Sequence, residues 1–162
     1  MKSKKTNAMR ILDNLGISYE VREYEDNTEH EVAKGAANRT AEKLGIPPET
    51  VYKTIVMRSD KKEIFVFCQS AENEINLKKA RTAAGCKEIA PIKPEGLLSL
   101  TGYVRGGCSP LGMKKQYSTF IDELATLHEK ICISGGLRGV QLIINPEDLA
   151  KACNAEFVDL IL

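Results

Sequence analysis

Residues 51–68 read VYKTIVMRSDKKEIFVFC. Two runs rich in β-branched and aromatic residues, 51–57 and 64–68, flank a charged turn at 58–63, which is the pattern of a β-hairpin. The second run is apolar on both faces, so it belongs in the middle of a sheet. In the first run, alternation puts Val51, Lys53, Ile55 and Met57 on one face and Tyr52, Thr54 and Val56 on the other. Lys53 therefore shares the more apolar side. An ammonium drawn inward is costly unless an anion or strong acceptor meets it, and burial lowers its pKa, so Lys53 is a candidate functional residue. A strand with two partly apolar faces also leaves it room to point outward.

On the N-terminal side of the hairpin, Ala8, Ile11, Leu12 and Leu15 recur at helical spacing, with Ser3 as cap and Gly16 as stop. Ile17, Tyr19 and Val21 then alternate with polar residues as a strand. Thr28 and Glu31 have capping-box spacing for a second helix with inner face Ala33, Ala37, Ala41 and Leu44, ended by Gly45 and the Pro47, Pro48 pair. On the C-terminal side, residues 77–84 predict a helix with a basic face of Lys78, Lys79 and Arg81. Short strands follow at 117–121, 131–133 and 140–144. Asn145, Pro146, Glu147 and Asp148 open a further helix with a cap, a proline at the first position and acids in the first turn. Residues 157–162 make a last strand. There is no regular βαβ alternation, and several strand pairs are joined by short turns. The expected fold is α+β: one domain over residues 1–162, with a curved, mixed, mainly antiparallel sheet approaching a barrel and helices packed outside.

The chain has 162 residues with Lys+Arg 23 against Asp+Glu 22, a near-neutral balance that argues against wrapping a long duplex but leaves room for a local phosphate contact. Cys68, Cys86, Cys108, Cys132 and Cys153 include no C-x-x-C pair and read as free thiols in a reducing compartment. No apolar run follows the basic N-terminus and none is long enough to span a bilayer, so a cytoplasmic location is expected. With only His30 and His128, both in charged surroundings, a histidine-based metal site is poorly supplied.

Two glycine-rich segments stand out: GYVRGGCSPLGMKK at 102–115 and SGGLRG at 134–139. Either alone reads as a tight connection; together they read as backbone arranged to present amides. Gly107 and Gly112 have the G-x-x-x-x-G spacing of a phosphate loop, but Met113 stands where the lysine is required and Lys115 where Ser or Thr is required. What remains is an amide-lined turn with Ser109 beside it, suited to an oxyanion or ester carbonyl, where one donor is worth about 3 kcal/mol in a transition state. Lys53 is expected to face the pocket formed by the two loops. Cys108 lies inside the first loop, yet neither histidine sits in a partner motif for a thiolate, so it reads as a small packing residue. Asp148 is explained by the helix start.

VYKTIV around Lys53, GYVRGGCSPLG, ISGGLRG, NPEDLA and the N-terminal KTNAMRIL together resemble, in order and over essentially the whole chain, the YbaK/EbsC family. These are freestanding aminoacyl-tRNA deacylases related to the editing insertion of bacterial prolyl-tRNA synthetase, and the branch resembled is that of the Cys-tRNA(Pro) deacylases. The resemblance implies a cytoplasmic trans-editing enzyme that removes cysteine from proline tRNA, without metal or organic cofactor. Such a second sieve is needed because a pocket for a small apolar side chain discriminates a methylene by only about 1–3 kcal/mol. It further implies that Lys53 is essential and that the G-x-x-x-P loop from Gly106 through Gly107 and Ser109 to Pro110 offers amides to the substrate. Ser134, Gly135 and Gly136 of the second loop would join it, Tyr24 falls at the family's functional tyrosine, and the substrate's own thiol would attack the ester. Position 108 varies among relatives. Candidate tRNA-phosphate contacts are Lys4, Lys5 and Arg10, then Lys78, Lys79 and Arg81, and Lys114 with Lys115. The partners implied are the aminoacylated acceptor end and prolyl-tRNA synthetase. Ala-tRNA(Pro) as substrate, or a non-catalytic module that binds nucleotides or an aminoacyl end and recruits a synthetase, are the alternatives.

Overall fold

The computed structural model describes residues 5–25 and 36–162. The hairpin forms as β2 (Tyr52–Ser59) and β3 (Ile64–Ser70), antiparallel, with Tyr52 opposite Ser70 and Arg58 opposite Ile64. β3 is buried along nearly its whole length because it is the central strand of a five-stranded sheet, order β4-β2-β3-β5-β8. Its partners are β4 (Ile89–Pro91), β5 (Ser118–Asp122) and β8 (Glu156–Val158). The β3–β5 and β5–β8 pairs are parallel, and each is reached by a long crossover, as parallel pairing demands. A second, antiparallel sheet has the order β1-β7-β6, from β1 (Glu20–Glu23), β6 (Ile131–Leu137) and β7 (Val140–Ile144).

The α+β class and the antiparallel bias are as expected, but the single near-barrel sheet is not. Two sheets are joined by a parallel bridge between Val51 and Cys132, and they do not close into a barrel. The five-stranded sheet ends in β4 and β8, three residues each, too short to carry a ladder around.

The largest core lies between the sheets and helices α1 (Asn7–Leu15) and α5 (Pro146–Cys153), around Leu12, Ile121, Ile133, Leu142 and Leu149. A second forms under α3 (Leu77–Ala84), where the Phe67 and Phe120 rings stack with centroids 5.5 Å apart. α2 (Ala36–Leu44) covers the joint between the sheets, packing Ala41 with Val51, Cys132 and Ile143.

Several expectations shift. The cap of α1 is Thr6, whose hydroxyl accepts from the Met9 amide, while Ser3 lies outside the described residues. Leu15 is 57% exposed; Ala8, Met9 and Leu12 make the inner face, and Gly16 at φ 69 ends the helix before Leu15 can turn inward. Val21 is exposed because β1 is an edge strand, and it is Ile17 and Tyr19 ahead of the strand that pack on the core. Thr28, Glu31 and Ala33 lie outside the described residues. Helix α4 (Pro94–Thr101) was not anticipated, although Pro94 in its first turn, Glu95 and the left-handed Gly102 are its signals. Asn145 caps α5 as expected, accepting from the Glu147 and Asp148 amides. The five cysteines are free. Among the described residues no helix is long and apolar enough to cross a membrane.

Candidate functional site

Lys53 lies on β2 opposite Gln69 of β3. Two residues before it, Val51 makes an isolated parallel bridge with Cys132, so Lys53 and Ser134 each lie two residues on from the joint between the sheets. Residues two apart share a face, so Lys53 is on the side that α2 covers, with Val51 and Cys132. It is half-buried, and that burial holds its pKa below the usual lysine value, opposed by the carboxylate of Glu74.

The other face of the hairpin carries the body of the first glycine loop. Val56 and Val66 pack with Tyr103 and Cys108 there. Cys108 is thus across the sheet from Lys53, and burial pushes its thiol up to about 12. A thiol so held is almost entirely protonated at neutral pH and makes a poor nucleophile. Cys108→Ala is expected to keep at least half the ester-cleavage rate and to cost about 1 kcal/mol of stability. A hundredfold loss of rate without unfolding, measured on a charged tRNA, would instead make Cys108 the nucleophile.

The two glycine loops do meet. A Cβ on Gly107 would lie 3.0 Å from the Arg138 amide nitrogen and 3.1 Å from the Leu137 carbonyl carbon, so only glycine lets the backbones approach. Gly136, at φ 103, sits against the ring of Tyr103. Several groups are already committed inside the loops. The Gly107 amide donates to Val104 O at 3.0 Å, Leu111 donates to Ser109 Oγ at 3.2 Å, and Gly136 donates to Ser134 Oγ at 3.2 Å. Ser109 and Pro110 are buried, so the Ser109 hydroxyl holds the turn. Gly135 serves the irregular register between Ser134 and Leu137, where a Cβ would meet Val140 Cγ1 at 2.9 Å. Gly106 is the exposed glycine of the G-x-x-x-P run, at φ 88.

Tyr24 follows β1 beside the second loop. Its amide donates to Gly139 O at 2.9 Å, its hydroxyl lies 3.2 Å from Thr40 Oγ1, and Lys43 Nζ stands 5.2 Å from its ring centroid. The register of β1 against β7 and β7 against β6 thus places Tyr24 and Ser134 at the same end of the small sheet.

Among the basic candidates, Lys79 is occupied, donating to Ile161 O at 2.7 Å and paired with Asp159 at 2.8 Å. Lys5 pairs with Asp13, and Arg10 donates to Asn7 Oδ1 at 3.1 Å. Lys78, Lys114 and Lys115 are exposed. Lys4 and His30 lie outside the described residues. A shallow depression of about 380 Å³ lies elsewhere, lined by Ile46, Thr50, His128, Cys132 and Ile143 among others, and contains none of the proposed loop residues. Sequence reasoning missed Gln69, fully buried and opposite Lys53; pairing YKT antiparallel with CQS across the hairpin would have found it.

A half-desolvated lysine and a hydroxyl-bearing glycine hairpin on an α+β frame are the kind of cationic and backbone donors that suit a polar, carbonyl-bearing ligand. The sequence pattern of the aminoacyl-tRNA editing domain matches residues 30–152, and the chain belongs to that family. It is 35% identical over 157 residues to EbsC of Enterococcus faecalis, provisionally described as a Cys-tRNA(Pro)/Cys-tRNA(Cys) deacylase, covering 97% of this chain and 93% of that protein. Two solved structures share the fold. One, provisionally described as a trans-editing enzyme for prolyl tRNA synthetase, has a TM-score of 0.83 at 24% identity, covering 99% of both chains. The other, hypothetical protein APE2540, has a TM-score of 0.84 at 17% identity, covering 96% of this chain and 99% of that one.

Proposed function

We infer that this chain is a freestanding editing deacylase and that its substrate is Cys-tRNA(Pro). The observation that carries the reading is Lys53, half-buried two residues from the joint between the sheets, within a chain that aligns along 97% of its length with EbsC. In this reading the ester meets Lys53 on the α2 side of the sheet, with Tyr24 and Ser134 along the edge of the small sheet, and the exposed loop at Gly106 reaches it around the edge of the hairpin. The Gly107 amide is spent on the turn, which supports a narrower donor role for the loop in which the exposed Gly106 is the glycine turned to the ligand.

The substrate's thiol is the nucleophile. Its sulfur forms a bond to the ester carbonyl carbon, the carbon–oxygen bond to the ribose breaks, and the thiol proton ends on the departing ribose oxygen. The product is a thiolactone, which water opens to cysteine. Lys53 and the loop amide stabilise the oxyanion formed in between. A protein thiol is a weak competitor, because burial pushes Cys108, Cys132 and Cys153 each up to about 12. Lys78, Lys114 and Lys115 supply phosphate contacts to the acceptor end, and a weak grip of this kind fits delivery of the tRNA by prolyl-tRNA synthetase.

The test is to incubate the protein with labelled Cys-tRNA(Pro), Ala-tRNA(Pro) and Pro-tRNA(Pro) and follow ester loss. The cysteinyl ester is expected to be cleaved at least tenfold faster than the other two. Cleavage of the alanyl form alone would reassign the substrate and remove the thiol mechanism, and cleavage of none would leave a binding module.

A further inference from the structure

Gln69 is fully buried on β3. Its Nε2 donates to Asn73 O at 2.8 Å, which fixes the carboxamide in one orientation. Its Oε1 is sealed from solvent with no hydrogen-bond partner among the described residues. A buried acceptor left unmet is unfavourable, and such groups are rare enough in folded proteins that each calls for a donor. Directly opposed residues of an antiparallel pair point to the same side with Cβ atoms about 4.5–5.5 Å apart, and the residue opposed to Gln69 is Lys53. On β2 the adjacent residues Tyr52 and Thr54 point to the opposite face, and on β5 the residue after Ile121 is Asp122, whose two carboxylate oxygens already accept from the Leu124 and Leu160 amides and offer Gln69 no donor. Lys53 has three N–H donors on a flexible stem and is itself half withdrawn from water.

The geometry points to Gln69 as the positioning residue of Lys53: a rotation of the flexible Lys53 stem toward its cross-strand partner lets Oε1 accept one N–H of the ammonium, leaving the other two directed at the ligand beside Ser134. An acceptor on the buried side stops the ammonium from swinging out to solvent, and a fixed donor needs no reorganisation when charge develops on the ester. Glu74 is the carboxylate that acts on Lys53 from the turn after β3, and it is unchanged in every variant below. That the ligand is an aminoacyl ester rests on the function proposed above; the contact between the two side chains does not.

The test has two arms. In the first, ester loss from Cys-tRNA(Pro) is measured for Gln69→Leu and Gln69→Glu. The leucine variant is expected to lose about tenfold in kcat with KM within twofold, and circular dichroism is to confirm that it folds. The glutamate variant, which keeps an acceptor, is expected to retain at least half the rate. In the second arm the Lys53 side chain is titrated by NMR with labelled lysine, assigned through Lys53→Ala. Its pKa should fall in Gln69→Leu and rise in Gln69→Glu. Full activity in the leucine variant, or a Lys53 titration that moves in neither variant, overturns the proposal. Should the leucine variant not fold, the titration of the glutamate variant decides alone. If the unmodified protein cleaves no charged tRNA, the deacylase reading fails, and the titration still decides whether Gln69 holds Lys53.

Discussion

Lys53→Ala will reduce ester loss from Cys-tRNA(Pro) on the order of a hundredfold to a thousandfold, the range seen when one preorganised donor to an oxyanion is removed. The fold should survive. Lys53 is half-buried at the end of β2, where its ammonium pays for desolvation and gains only partial compensation from Glu74. Its removal relieves that burial but leaves the Gln69 carboxamide oxygen without the donor proposed above, so the unfolding midpoint should stay close to that of the parent. The sign of the pH effect follows from the lowered folded-state pKa. Below that value the lysine is charged in both states and its burial opposes folding; the penalty fades as pH rises toward the ordinary lysine value of 10.5. A stability difference between parent and Lys53→Ala should accordingly shrink in alkaline buffer. Lys53→Arg should not rescue the rate, because a planar guanidinium cannot reproduce a compact three-donor ammonium on this short strand end. A fully active Lys53→Ala protein, folded by circular dichroism, would remove the residue from the mechanism.

The central hairpin was readable because its two signals agree: the runs at 51–57 and 64–68 carry β-branched and aromatic residues, and the charged turn admits no helix. The helix at Asn145 was readable for the same reason, with cap, proline and acids in register. The split into two sheets was not. It depends on one bridge, Val51 to Cys132, between residues 81 apart in sequence, and nothing local encodes such a contact. Parity within β2 gave Lys53 its face, yet it could not say what covers that face. That answer comes from α2, whose Ala41 packs on Val51 and Cys132. The same limit hid the division of labour in the glycine loops. Gly107 and Gly135 are glycine because neighbouring atoms come within about 3 Å of where a Cβ would be, a tertiary fact, whereas Ser109 looked like a ligand group and is a buried turn brace. The seven loop residues, alike by sequence pattern, have unequal roles once their hydrogen bonds are traced.

Gly106→Val will lower the rate at least a hundredfold, and the reason is separable from that for its neighbour. Gly106 has φ 88, a backbone region that a β-branched residue enters at a cost of about 1–3 kcal/mol. The loop relieves that strain by rotating the peptide on either side, and the rotation carries the ligand-facing amide out of line. Since about 1 kcal/mol shifts the melting midpoint of a chain this long by roughly 2–4 °C, a modest thermal loss should accompany the large catalytic one. Gly106→Asn discriminates conformation from bulk: asparagine tolerates positive φ better than valine, so it should recover part of the rate. Gly107→Ala should behave differently, because its Cβ would press on the Leu137 and Arg138 backbone and push the two loops apart. That variant should lose stability and rate together. Should Gly106→Val cleave the ester as fast as the parent, the loop would be a structural tie between the sheet and the second hairpin, and catalysis would rest on Lys53 and the substrate's thiol alone.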